Sequence, residues 1–125
     1  MRFHHVQLSC AAGGEDEGRR FFVDGLGFAE IPKPAELAKR GGAWFRHPGG
    51  AEIHLGIDEP AQGRKAHPGL EVETTAELER LAAHLEALGY GVDWSQRHNA
   101  ETFERFHTHD PFGNRIEVLH VLEVD

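Results

Sequence analysis

The chain states one pattern twice, and this duplication limits its fold more than any other feature. His47-Pro48-Gly49-Gly50-Ala51-Glu52-Ile53-His54-Leu55 aligns with Asp110-Pro111-Phe112-Gly113-Asn114-Arg115-Ile116-Glu117-Val118 at an offset of 63 residues. Nearer the start of each half, His5-Val6-Gln7-Leu8 aligns with His67-Pro68-Gly69-Leu70 at an offset of 62. Between these anchors, Gly25-Leu26-Gly27-Phe28 aligns with Ala87-Leu88-Gly89-Tyr90 at the same offset of 62. Correspondences in one order and nearly one register mark a unit of roughly sixty residues used twice.

Each unit reads β-α-β-β-β. In the first, residues 3–9 carry Phe3, Val6 and Leu8 and suit a strand. Residues 15–26 open with acidic side chains, which favour the positive end of a helix, and Gly27 ends it. Strands are predicted at 28–31, 43–46 and 51–56, the last two joined through Pro48-Gly49-Gly50. Residues 32–42, too long for a simple hairpin, form a loop with room for one helical turn. In the second unit Thr75 is the expected N-cap of a helix whose stripe is Leu78, Leu81, Ala82, Leu85 and Leu88, with Gly89 as its stop. Strands are predicted at 90–94, 103–109 and 115–121, with Asp110-Pro111-Phe112-Gly113 as a turn. One domain of 1–125 results: a first module over 1–58, a linker over 57–66 rich in Pro, Gly and charge, and a second module over 67–125.

A formal charge of −8 with scattered basic residues argues against nucleic acid as a partner, because phosphate would be repelled. No apolar run approaches the roughly 20 residues of a membrane helix, so no membrane partner is expected. Residues 1–10 show no signal-peptide core, and the single Cys10 forms no internal disulfide; both suit the cytoplasm. Ten histidines in so short a chain invite a metal or acid–base reading.

The duplication selects among them. His5 and His67 take the same position of the first strand, and His54 and Glu117 the same position of the last. A pseudo-twofold arrangement would bring equivalent positions together, so these four side chains are the expected ligands of one divalent ion. Imidazoles and a carboxylate suit Zn, Fe, Mn or Ni. Strand alternation agrees: with His54 and Glu117 inward, Ile53, Leu55, Ile116 and Val118 face the helices. Arg115 shares the parity of Glu117 and should face the same pocket, and Trp44 is the repeat equivalent of His107. His84 is expected on an exposed helix face, and His4 and His120 as neighbours that face away.

The duplication together with Asp110-Pro111-Phe112-Gly113-Asn114-Arg115-Ile116-Glu117 resembles the glyoxalase/bleomycin-resistance/extradiol-dioxygenase (vicinal oxygen chelate) superfamily, over essentially the whole chain. The resemblance implies an α+β fold of two tandem β-α-β-β-β modules, a curved mixed or antiparallel sheet around a metal-binding cavity with helices outside. It implies the same ligands, His5, His54, His67 and Glu117, and cavity-lining Arg105 and His107 beside Trp44 and Arg115. Relatives of this length often form homodimers, and the partner of the site is a small molecule.

Two departures narrow the chemistry. Lactoylglutathione lyases commonly place an arginine four residues after the first ligand and an asparagine four after the second; here these positions are Ser9 and Asp58. Glutathione is therefore disfavoured. The expectation is a metal-dependent glyoxalase-like lyase or isomerase on a small substrate with adjacent oxygens, with Glu117 and His54 as catalytic residues. The alternatives are an extradiol-type dioxygenase and a drug-binding resistance protein without catalysis.

Overall fold

The structure of the protein, a computed structural model, describes residues 1–60 and 63–122. The chain divides into two compact units, Met1–Gly63 with Pro111–Asn114, and Arg64–Asp110 with Arg115–Asp125. The first half of the chain supplies β1 (Val6–Cys10), α1 (Glu15–Arg19), β2 (Ala29–Ile31), α2 (Ala35–Ala38), β3 (Ala43–Arg46) and β4 (Glu52–Ile57). The second supplies β5 (Gly69–Glu71), α3 (Thr75–Ala87), β6 (Val92–Asp93), β7 (Phe103–His109) and β8 (Arg115–Val121). Two four-stranded sheets result, in the orders β1-β4-β3-β2 and β5-β8-β7-β6. In each, the module's last strand is central, parallel to the first strand and antiparallel to the third. This is the expected α+β architecture of tandem β-α-β-β-β modules. No helix among the described residues is long and apolar enough to cross a membrane.

The central strands show why the pattern folds this way. On β8, Ile116 and Val118 are buried, and α3 packs on β8 and β7 through a face that buries Leu78, Ala82 and Leu85. On β4, Ile53 and Leu55 are equally buried. A Cβ added at Gly18 of α1 would come within 2.6 Å of Leu55 Cδ1, so the helix approaches β4 as closely as only glycine allows. The rest of this core is aromatic: Phe22 stacks on Phe45 with centroids 5.5 Å apart and meets Phe21 edge-on at 5.0 Å. Burying each such ring stabilises by about 1.5–3 kcal/mol.

The Pro111–Asn114 turn belongs to the first unit. Phe112 is 5% exposed, and its ring would meet a Cβ at Gly14 at 2.6 Å. Asn114 Nδ2 donates to the Ser9 carbonyl at 2.7 Å. Gly113, at φ +83°, makes the left-handed step that separates these two residues. The repeated P-x-G segment is thus a turn with a packing task in its second copy.

Several boundaries differ from the sequence expectation. Strand β1 starts at Val6, and Phe3 is 92% exposed outside it, because its backbone has no strand to pair with there. The helix expected over 15–26 is α-helical to Arg19 and then continues as a π-helical turn, Arg20–Gly25, with Leu26 N–H donating to Phe21 O at 2.9 Å. A wider turn rotates each residue through a smaller angle, so consecutive Phe21 and Phe22 diverge less and both reach the core. The cap of α3 is Thr74 rather than Thr75: its hydroxyl accepts from Glu77 N–H at 3.0 Å while Glu77 Oε2 accepts from Glu73 N–H at 2.9 Å. The 90–94 strand contracts to Val92–Asp93. The 32–42 loop does hold one short helix, α2, and Lys33 Nζ donates to the Gly41 carbonyl across it. Of the expected linker, Ala61 and Gln62 lie outside the described residues, as do the last three positions, 123–125, of the second module.

Phe112→Ala should lower unfolding free energy by about 3–5 kcal/mol, the usual loss for a buried phenylalanine, and Thr74→Ala by about 1 kcal/mol. Urea unfolding followed by circular dichroism measures both, and the order of the two effects should hold.

Candidate metal centre

In the second unit, Glu117 lies in register with Gly69 of β5 on one side and His107 of β7 on the other. Gly69 offers no side chain, and His67, two residues upstream, reaches Glu117 instead: Nε2 stands 2.8 Å from Oε1. His67 precedes β5 rather than sitting in it; the ladder still extends that way, as Glu117 N–H donates to the Pro68 carbonyl at 3.1 Å. His5 likewise immediately precedes β1.

Arg105, one turn of the pleat from His107 on β7, donates from Nη1 to Glu117 Oε1 at 3.2 Å. Its Nη2 is held by Asn99 Oδ1 at 2.7 Å and Gln96 Oε1 at 3.2 Å, so the fork is fixed from behind. Burial alone would push the Glu117 carboxyl up, but the His67 hydrogen bond and the Arg105 guanidinium outweigh it and hold it below the usual range. Glu117 is therefore ionised at neutral pH. Among the described residues its side-chain hydrogen bonds, from His67 and Arg105, fall on Oε1.

His107 is 2% exposed, and among the described residues neither ring nitrogen has a hydrogen-bond partner. Its Nε2 is 3.5 Å from Glu117 Oε1, and its ring meets that of His67 edge-on at 5.5 Å. Burial pushes its pKa down, with the Arg115 charge acting the same way, so the ring is neutral at pH 7. Leaving a buried polar group unpartnered costs about 1–3 kcal/mol, and a cation that took the lone pair would recover it. Donor atoms of His67, His107 and Glu117 all lie within 4.8 Å of one another. Two imidazoles and a carboxylate so arranged fit a divalent ion.

In the first unit, the face of β4 equivalent to Glu117 carries His54. Its ring stacks on Trp44, its register partner on β3, at 3.8 Å and 4°, and on His5 at 3.9 Å and 15°. Nε2 of His54 is 2.7 Å from Glu52 Oε2, and Arg46 donates to Glu52 Oε1 at 2.8 Å. The His54 hydrogen bond, aided by Arg46, holds the Glu52 carboxyl below its usual range, whereas burial pushes His54 down to the neutral form. His4, His5 and Glu52 form the second donor group, again within 4.8 Å.

Of the expected ligands, then, His67 and Glu117 come together, and His5 and His54 come together as a ring stack. Arg105 and His107 both lie beside Glu117, and Trp44 lies against His54. Arg115, the register partner of His109, contributes its charge toward His107 and Asp93. The sequence reading did not single out Glu52 and His4 as possible donors, and it placed His107 among the substrate-binding residues, whereas the structure also brings it within a group that could hold a metal ion. Glu52 was detectable, because it shares the parity of His54 two residues away. His107 was detectable as the cross-strand partner of Glu117. His4 was expected to face away, but it lies outside any strand, so no parity rule applies; its Nδ1 is 2.9 Å from His5 Nδ1.

Known proteins place this geometry in context. No curated protein matches the chain in sequence. A solved protein from Bacillus anthracis ascribed to the glyoxalase family is 36% identical, over 98% of this chain and 96% of that one, with a TM-score of 0.85. The fosfomycin resistance protein FosX from Listeria monocytogenes, solved with Mn(II) and sulfate, shares the fold at 14% identity, 97% and 90% coverage and a TM-score of 0.76. TnmS3, an antibiotic binding protein from Streptomyces sp. CB03234, does so at 20% identity, 98% and 99% coverage and a TM-score of 0.69. The family model described as Glyoxalase/Bleomycin resistance protein/Dioxygenase superfamily matches residues 2–118. That match runs from ahead of β1 well into β8, through both copies of the repeat, and the chain belongs to this superfamily.

Proposed function

We propose that the protein is a metal-dependent lyase or isomerase of the glyoxalase kind, acting on a small substrate that has two adjacent oxygens and is not a glutathione conjugate. The observation that carries this reading is the convergence of His67, His107 and Glu117 donor atoms within 4.8 Å, with an unpartnered buried imidazole among them. In this reading His67 and Glu117 hold one divalent ion (Zn, Fe, Mn or Ni), with His5 and His54 as the further ligands. Such an ion polarises paired substrate oxygens and stabilises charge that develops on them. The Mn(II) bound to FosX is a precedent for a metal in this fold.

The chain's own groups divide the remaining work. Glu117 Oε2 is the atom placed to accept a proton, since Oε1 is taken by His67 and Arg105. A carboxylate held below its usual range is a weak base, so the proton it removes must be one acidified by a neighbouring carbonyl. Arg105 and Arg115 supply positive charge for an acidic or planar substrate, and Trp44 supplies a ring face. His54, neutral and hydrogen-bonded to ionised Glu52, is the second candidate for moving a proton. The reading of a substrate other than glutathione rests on Ser9 and Asp58, which occupy the chain positions where lactoylglutathione lyases commonly carry an arginine and an asparagine. We also propose a cytoplasmic homodimer, on the behaviour of relatives of this length; sedimentation at micromolar concentration should show a dimer, and a monomer would reject it.

A dioxygenase is the second reading, favoured by one observation: two imidazoles and one carboxylate are the donor set of ferrous oxygenases. Oxygen consumption with a catechol would establish it in place of the first. Binding without catalysis gives no reason for a buried His107 that lacks a partner among the described residues beside an ionised Glu117.

Glu117→Gln should reduce turnover of a hemithioacetal-type substrate by roughly 10²–10⁴-fold, the scale of a lost general base. Metal content measured in the same sample separates loss of the base from loss of the ion; normal turnover in a loaded variant would remove Glu117 from the mechanism.

The metal-free protein should also be acid-sensitive in a defined window. His54 and His107 have depressed pKa values in the folded state, so below the unfolded value of about 6.5 the unfolded chain takes up protons that the fold refuses. Stability is complete above that value and falls as pH drops toward the folded values. Glu52 and Glu117 add a second loss, which begins below the unfolded carboxylate value and continues as pH falls through their lowered folded values. Melting temperatures of chelator-treated protein from pH 7.5 to 5 should decline, and His107→Gln should flatten the decline. A flat wild-type profile would contradict these burial effects.

A further inference from the structure

We propose that His107 is itself a metal ligand, so that the second unit seats a divalent cation through His67 Nε2, His107 Nε2 and Glu117 alone, and that this histidine takes the role expected of His54. The inference rests on the metal-dependent reading above and changes its ligand set.

The two histidines differ in every respect that decides ligation. Both faces of His54 are covered by rings, Trp44 at 3.8 Å and His5 at 3.9 Å, and its Nε2 is tied to Glu52 at 2.7 Å. Freeing that nitrogen would leave Glu52 with Arg46 as its remaining side-chain partner. His107 has no such ties. It is 2% exposed, neither nitrogen is hydrogen-bonded among the described residues, and Nε2 lies 3.5 Å from Glu117 Oε1. Its register opposite Glu117 on adjacent antiparallel strands holds the two side chains side by side.

His67 supplies the third donor. Its Nδ1 lies 2.5 Å from the Lys65 carbonyl and its Nε2 lies 2.8 Å from Glu117 Oε1. Donor atoms of His67, His107 and Glu117 thus lie within 4.8 Å of one another, and a divalent ion would take them as a three-point seat. The Lys65 carbonyl then fixes the His67 tautomer from outside, as backbone acceptors do for metal-bound imidazoles. Three protein ligands leave open positions for two substrate oxygens.

The test uses the whole chain and Zn(II) alone. Chelator-treated protein is titrated with Zn(II) while the histidine ring nitrogens are followed by two-dimensional nuclear magnetic resonance, and affinity is measured by calorimetry. At one equivalent, the ring signals of His107 and His67 should both move to those of metal-bound imidazole, and those of His54 should not show a bound nitrogen. His107→Gln should weaken Zn(II) binding at least about tenfold, since even outer partners of a metal site cost 10–100-fold, and His54→Gln should weaken it less. The resonance experiment on the unaltered protein stands even where His107→Gln fails to fold. Bound signals at His67 with unchanged ones at His107 overturn this inference and leave the metal-dependent reading intact. An absence of Zn(II) binding by the wild-type protein overturns both.

Discussion

A carboxylate only 5% exposed at the centre of a sheet dictates much of what surrounds it. An isolated buried charge is costly enough that such a group stays ionised only with partners in place. Glu117 obtains them from both neighbouring strands: His67 from ahead of β5, Arg105 from β7. Arg105 is in turn held by Gln96 and Asn99, so the segment between β6 and β7 is ordered by the same charge. Replacing such a cluster by apolar side chains is often neutral or stabilising. Stability of the sheet therefore does not by itself account for this cluster.

The two modules use the same sheet positions with the charges exchanged. Glu52 and Arg115 are equivalents in the repeat, as are His54 and Glu117, and Trp44 and His107. In the second unit the acid is at the inner position and the arginine two residues before it. In the first the acid is two residues before the histidine and is neutralised by Arg46. Each arrangement pairs one carboxylate with one imidazole at 2.7–2.8 Å. The difference lies in what covers the imidazoles. A tryptophan stacked on His54 closes its face, whereas His107, in the tryptophan's place, brings a second imidazole to the carboxylate.

The architecture was legible because duplication and strand parity are properties of the sequence itself. Ile53, Leu55, Ile116 and Val118 announced which side the helices take, and they are buried there. Boundaries were less legible where a local rule had competitors. Thr74 and Thr75 are both good caps, and only the reciprocal bonds with Glu77 and Glu73 choose Thr74. Phe3 looked like a strand residue by composition, but strand formation depends on a partner that sequence does not display. At the site, the resemblance pointed to Arg105 and His107, which lie beside Glu117, while parity pointed to Arg115, whose charge acts on His107 and Asp93. Neither could say which imidazole would be tied up. That is decided by the Glu52–His54 bond and the Trp44 stack, contacts that depend on rotamers rather than on spacing.

Register explains why these positions recur as chemical positions at all. Side chains directly opposite on adjacent antiparallel strands have Cβ atoms about 4.5–5.5 Å apart, close to the span over which two side chains can share one ion. Position 117 faces 107 in this way, and 54 faces 44. The central strand adds a second neighbour on its parallel side, from which His67 and His5 reach in. Each module thus offers three adjacent side-chain positions on one face, with the apolar residues that hold the fold confined to the other. Exchanging a tryptophan for a histidine, or a histidine for a glutamate, at these positions changes what the face can bind while leaving the packing against the helices untouched. A fold with its chemistry on one parity and its stability on the other can host ligand binding, proton transfer or oxygen chemistry through substitutions at those few positions.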